Sequence, residues 1–188
     1  MATQSIVFVD SRVSNYQSLI DSLTEPAEVL VLDGESDGLA QMAADLKGRT
    51  SIDAIHVISH GSVGALYLGR TVLDGGNLAN YQSQLASIGS ALTETGDILL
   101  YGCNVAQGDV GVQFIGNLSQ ATGADVAGSS DATGAEPLGG DWVLEKSVGI
   151  VDTATIQTRD YDGLLTAGTG KVTALIGVIQ GGIELALG

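Results

Sequence analysis

The feature that most constrains this chain is an alternation of short apolar runs with helical patterns. Ser5–Val9 (SIVFV), Glu28–Leu32 (EVLVL), Ile52–Ser59, Asp97–Tyr101 (DILLY) and Asp125–Gly128 (DVAG) read as buried strands. Between them, apolar residues recur every three or four positions. Tyr16, Leu19, Ile20 and Leu23 mark one helical face; Leu39, Met42, Ala43 and Leu46 mark a second. Leu78, Tyr81, Leu85, Ile88 and Leu92 mark a third; Val112, Ile115, Leu118 and Ala121 mark a fourth. Apolar strands separated by amphipathic helices specify a parallel sheet covered on both faces. The expected fold class is α/β: a three-layer sandwich with a mainly parallel sheet, its core over residues 4–152.

Two segments depart from that rhythm. Ala65–Leu68 and Arg70–Leu73 flank Gly69 and predict a small hairpin after the third strand. Asp141–Lys146 and Gly149–Asp152 predict a closing antiparallel element. A length of 188 residues suits one domain. The division is an α/β domain over 1–164 and a Gly-rich linker with an apolar tail over 165–188, where Gly177, Gly181 and Gly182 interrupt KVTALIGVIQGGIELALG.

Charge narrows the partners. The chain carries 22 Asp plus Glu against 7 Lys plus Arg, a net charge of −15. Such a balance gives no footprint for a phosphate backbone, so nucleic acid is excluded as a partner, and anionic membrane surfaces are disfavoured. No apolar run reaches the roughly 18 residues of a spanning helix. MATQSIVFVD lacks the basic start and long apolar stretch of an ordinary signal peptide. The charge suits a protein outside the cell, or one that meets basic peptides or divalent cations. The single cysteine, Cys103, excludes an internal disulfide and a multi-cysteine zinc site. Two acidic loops, Asp33/Glu35/Asp37 and Asp131/Glu136/Asp141, have carboxylates suited to calcium but not the EF-hand spacing, and read better as solvated loops. No metal site is assigned.

Two strand ends carry chemistry. The third strand runs into Ser59-His60-Gly61-Ser62, the fourth into Tyr101-Gly102-Cys103-Asn104. Sites in parallel sheets form at the carboxyl ends of strands. If these strands are neighbours, their backbones lie ~4.8 Å apart and an imidazole meets a thiol. That is the smallest constellation for a cysteine nucleophile, Cys103, with a histidine general base, His60. The backbone N–H groups of Gly61 and Cys103 are candidate oxyanion donors. His56 lies inside the strand and reads as a satisfied core histidine.

The order strand, His-Gly, hairpin, helix, strand, Cys resembles the caspase-like cysteine peptidases, the group that includes caspases, gingipains and legumains. HVISHGSVGALYLG at 56–69 resembles their His block and DILLYGCN at 97–104 their Cys block. With SHGS at 59–62, LLYGCNVA at 99–106 and GGDWVLE at 139–145, the chain is most similar to a caspase-like domain of large bacterial surface proteins and adhesins. The resemblance spans Ile6 to Asp162 and implies a cysteine endopeptidase, with His60 as base and Cys103 as nucleophile. Its substrate would be a peptide or protein, including the parent chain. It also implies an extracellular or cell-surface location, reached without an ordinary N-terminal signal peptide. Cys103 is flanked by Gly102 and Asn104 instead of the caspase pentapeptide, so a preference for Asp is not carried over.

In that family the specificity pocket follows the first strand and the strand after the Cys helix. Here those places hold Asp10, Ser129 and Asp131, the expected substrate-binding residues. Two carboxylates would favour Arg or Lys at the cleaved position. Arg159 and Lys171, which flank the linker-like end, are the expected self-cleavage positions. The competing reading is a binding or scaffold module that keeps the fold without the chemistry. Acyl transfer by the same two residues ranks third.

Overall fold

A computed structural model describes residues 4–167. The expectations placed on 168–188, Lys171 among them, lie outside the described residues. In chain order the elements are β1 (Ser5–Asp10), α1 (Tyr16–Asp21), β2 (Glu28–Leu32), α2 (Gly38–Asp45) and β3 (Ile52–Ile58). Then come β4 (His60–Ser62), β5 (Ala65–Leu68), β6 (Thr71–Asp74), α3 (Gln82–Ala91) and β7 (Leu92–Tyr101). The last are α4 (Gly108–Thr122), β8 (Asp125–Gly128) and β9 (Lys146–Val148).

The main sheet has six strands in the order β2-β1-β3-β7-β8-β9. All neighbours are parallel except β8 and β9. A second sheet, β4-β5-β6, is antiparallel and has three strands. The molecule is thus an α/β sandwich with a mainly parallel sheet, as the alternation of runs predicts. The hairpin is present too, enlarged by β4, which starts at His60 itself.

Strand alternation sorts the core into two halves. Ile6, Phe8, Ile55, Val57, Ile98 and Leu100 point to the face covered by α2, α3, α4 and the small sheet. Val7, Val9, Ala54, Ile58, Leu99 and Tyr101 point to the other. Among the described residues, that second face has only one short helix, α1, which contributes Leu19. Trp142, Ile156, Tyr161 and Leu165 finish the cover. Extended chain therefore stands in for a helical layer, and the packed region runs on past residue 152 to Leu165.

Two boundaries differ from expectation. β7 begins at Leu92, which the helical spacing assigned to the preceding helix. The closing antiparallel strand is Lys146–Val148, not Asp141–Lys146. Asp141 is instead bridged to Thr133, and its carboxylate accepts the Val143 N–H at 2.8 Å, so the chain turns there.

A buried polar network pins the extended layer. The Ile156 N–H donates to the Tyr101 hydroxyl at 2.9 Å, and that hydroxyl lies 3.0 Å from His56 Nδ1. Asp97 accepts from the Thr153 N–H at 2.9 Å and its hydroxyl at 2.6 Å. His56 is buried and satisfied, as read from its place in the strand. A broad groove of about 1190 Å³, lined by Ser5, Asp53, His56, Asp97 and the 152–157 segment, opens at the amino ends of the strands, opposite the carboxyl edge.

Burial holds the His56 pKa down at about 4, partly offset by the Asp97 charge. The unfolded chain therefore binds a proton near pH 6.5 that the folded chain refuses until about pH 4, so stability falls as pH drops through that window. The loss is on the order of 3 kcal/mol. Urea midpoints of the wild type and His56→Gln should separate on this limb, the wild type losing more stability between those pH values. Parallel curves would contradict this account of His56.

Candidate active site

The two strand ends meet at the carboxyl edge of β3 and β7. Ile58 pairs with Tyr101, so His60 and Cys103 each stand two residues beyond the same rung. Glycine allows the approach. A Cβ on Gly61 would lie 2.6 Å from Val105 Cγ2 and 2.8 Å from the Gly102 carbonyl carbon. The chain then turns sharply through Asn104, at φ 61°, a left-handed conformation that Asn tolerates better than most residues. The Asn104 N–H donates to the Asp131 carbonyl at 2.7 Å, tying this turn to the loop after β8.

His60 is half-buried. Its Nε2 lies 3.1 Å from the Arg12 carbonyl oxygen. A carbonyl can only accept, so Nε2 carries the hydrogen and the neutral ring keeps a lone pair on Nδ1. That Nδ1 is buried and, among the described residues, has no hydrogen-bond partner. The ring is thus oriented by a backbone acceptor with its basic nitrogen unspent. No hydrogen bond joins the ring to the Cys103 thiol among the described residues.

Cys103 is fully buried. Its sulfur accepts the Thr133 N–H at 3.1 Å and lies 3.5 Å from the Thr133 carbonyl oxygen. Burial pushes the thiol pKa up, against the pull of the Thr133 and Leu165 amides, and the charge of Asp131 adds to the rise. With the chain arranged in this way the thiol keeps its proton.

The chain's own segment 163–167 lies across this site, held by isolated bridges and backbone hydrogen bonds. The Leu165 N–H donates to the Thr133 carbonyl at 2.9 Å, and the Ala135 N–H to the Gly163 carbonyl at 2.8 Å. Leu164 bridges Gly134 in antiparallel fashion. Gly134 has φ 136°, and a Cβ there would collide with the Gly163 carbonyl oxygen, so only glycine lets the two backbones run this close. The Leu165 carbonyl oxygen accepts both the Gly61 N–H at 3.0 Å and the Cys103 N–H at 3.3 Å. These are the two amides singled out from the sequence. Past that carbonyl, the Ala167 N–H donates to the Gly61 carbonyl at 3.3 Å.

The expected substrate-binding residues fare differently. Asp10 is buried, and its two oxygens accept the Arg12 and Gly69 N–H groups. Its carboxylate fastens the end of β1 to the β5–β6 turn and is buried there. Ser129 is also buried, its hydroxyl donating to the Asp131 carbonyl at 3.1 Å and its own carbonyl accepting the Ala106 N–H at 2.8 Å. Asp131 is exposed beside the site, its pKa raised by desolvation and by Glu145 and Asp141.

The acidic loops also resolve. Asp131, Asp141 and Glu145, all exposed, bring carboxylate oxygens within 4.8 Å of one another. Glu136, expected in that set, begins a short 3-10 turn instead. Asp33 accepts the Glu35 N–H and the Ser36 hydroxyl, and Asp37 caps α2 by accepting the Ala40 N–H. Both are turn and cap residues. Three participants were missed from sequence: the Arg12 carbonyl, Thr133 and Leu165. All three act through backbone atoms, which carry no residue signature; for Leu165 the one further signal is an apolar pair directly before a Thr/Gly-rich stretch.

Fold and site together define an α/β sandwich whose parallel sheet bears a peptide-occupied cleft at its carboxyl edge. The family model described as a domain of unknown function, DUF4347, matches residues 6–165, and the chain belongs to that family. No curated protein matched the chain. No helix among the described residues is long and apolar enough to cross a membrane.

The anchoring role of Asp10 predicts an asymmetry. Asp10→Ala should cost about 2–3 kcal/mol, because a buried amide loses a charged acceptor. Asp131→Ala should stay within about 0.5 kcal/mol. Urea denaturation of both variants checks this; equal effects would remove the distinction.

Proposed function

We propose that this domain is a cysteine endopeptidase of caspase-like type, with Cys103 as nucleophile and His60 as general base. The observation that carries the reading is the pair of amides, Gly61 and Cys103, converging on one peptide carbonyl beside the only thiol. Two N–H groups aimed at a carbonyl stabilise the oxyanion that forms when a nucleophile adds to it. His60 fits its part because the Arg12 carbonyl holds Nε2–H and leaves Nδ1 to take a proton. The antiparallel lane along Thr133–Ala135 supplies the main-chain hydrogen bonds a peptide substrate needs. The location at a bacterial cell surface stays part of this proposal, resting on the resemblance and the acidic charge.

The same observations bear on the order of events. A thiol pushed up by burial is a poor nucleophile until it passes its proton to a base. In this reading, attack therefore begins with transfer from Cys103 to His60, which requires the imidazole and the thiol to come within hydrogen-bond reach.

Two substitutions test the assignment. Cys103→Ala should abolish Cys-dependent peptide cleavage, whether in the chain itself or in an added unfolded protein. His60→Ala should lower it by roughly 10²–10⁴-fold. Both should keep the wild-type circular dichroism spectrum. Cleavage that persists in Cys103→Ala would overturn the nucleophile assignment. A wild type that neither cleaves nor is acylated at Cys103 by peptide electrophiles would leave the scaffold reading in its place.

A further inference from the structure

We infer that the peptide bond between Leu165 and Thr166 is this domain's own cleavage site, and that its primary pocket takes a leucine-type side chain. The inference rests on the peptidase reading above and specifies its substrate. Three independent features of the segment fit a substrate in place. The carbonyl held by both candidate oxyanion donors, one of them the amide of Cys103 itself, belongs to Leu165. The residues before that carbonyl pair antiparallel with 133–135, and the residue after Thr166 is held by the Gly61 carbonyl. The bond that follows the held carbonyl is thus gripped on both sides. The Leu165 side chain is fully buried, in the apolar cluster that also holds Val13, Ile58, Tyr101, Trp142 and Tyr161.

That cluster decides specificity. The side chains packed around Leu165 in that cluster are apolar or aromatic; of the two expected carboxylates, Asp10 is buried and held by backbone amides, and Asp131 is exposed. An arginine or lysine at this position would bury a cation with no partner, which is far more costly than burying leucine. Arg159, an expected basic cleavage position, is exposed six residues upstream, its amide donating to the Ser22 carbonyl at 3.3 Å, beside α1 and away from the thiol. The matched span of the family, 6–165, ends at the same residue.

The chemistry balances with water as co-reactant. The Cys103 thiol gives its proton to His60 and the sulfur bonds to the Leu165 carbonyl carbon. The resulting oxyanion stays between the Gly61 and Cys103 amides. As it collapses, the bond from the Leu165 carbonyl carbon to the Thr166 nitrogen breaks, and His60 returns the proton to that nitrogen. Water, deprotonated by His60, then adds to the Leu165–Cys103 thioester. The products are a chain ending in a Leu165 carboxylate, a second chain beginning with the Thr166 amine, and a free thiol. Until the bond is cut, the segment fills the cleft and excludes any other substrate.

The test uses the full 188-residue chain. Wild type, Cys103→Ala, Leu165→Met and Leu165→Arg are purified, incubated at neutral pH with and without calcium, and read by intact mass. The wild type and Leu165→Met should be found cut after residue 165, or become so on incubation. Cys103→Ala should remain whole. Leu165→Arg should be cut at least about a hundredfold more slowly. A thermal melt of Leu165→Arg combined with Cys103→Ala tells a folding defect from a specificity effect. In parallel, Cys103 is challenged with acyloxymethyl ketones built on Tyr-Asp-Gly-Leu-Leu and on the same peptide ending in Arg. Faster labelling by the Leu probe in the cut chain supports the pocket assignment. A Cys103-dependent cut at another bond, or labelling without self-cleavage, overturns this inference and spares the peptidase reading. Neither cleavage nor labelling overturns both.

Discussion

Everything at the site depends on the parallel pairing of β3 with β7, the two central strands. Their register sets Ile58 opposite Tyr101, and each strand then continues for two residues into a chemically loaded loop. Because both run in the same direction, both loops leave the sheet at one edge. Because Gly61 and Gly102 carry no side chain, those loops approach until their backbones touch. The two amides can share a carbonyl only at that separation. A methyl group at Gly61 would displace Val105 or the Gly102 backbone, so the smallest residue sets the geometry in which the larger ones act.

The sheet is asymmetric in its cover, and that asymmetry connects fold to function. One face carries three helices and the small sheet. The other carries α1 and extended chain. An extended segment can add to a backbone edge, whereas a helix has no free hydrogen bonds to offer. The 156–165 stretch therefore does two things: it completes a hydrophobic layer through Ile156, Tyr161 and Leu165, and it brings a peptide carbonyl to the cleft. Tyr101 joins the two roles. Its ring belongs to the buried layer and its hydroxyl holds the Ile156 amide.

Much of this was legible in the sequence, for a definable reason. Buried parallel strands advertise themselves as apolar runs, and the carboxyl ends of such strands are where sites form. His60, Cys103 and the amides of Gly61 and Cys103 follow from that logic and stand together at one edge. Asp10 obeyed the same positional logic yet became an anchor. Its partner, the Gly69 amide, lies 59 residues away in a turn whose placement no local pattern encodes. Leu165 was hidden for the reason that also hid the Arg12 carbonyl and Thr133. Its defining contacts, to Thr133, Gly61 and Cys103, run from backbone to backbone, and backbone is the same in every residue. The closing strand slipped a few residues because Asp141 spends its carboxylate on a turn.

The complete burial of Cys103 also bears on how the protein lasts. A sulfur with no exposed surface, protonated and covered by a peptide, is shielded from peroxide and from small disulfides, which react with thiolates that solvent can reach. With only one cysteine in the sequence, no resolving thiol could rescue a sulfenic acid by forming a disulfide within the chain. The covering segment therefore acts as chemical packaging, a barrier between the sulfur and any dissolved oxidant for as long as it stays in place.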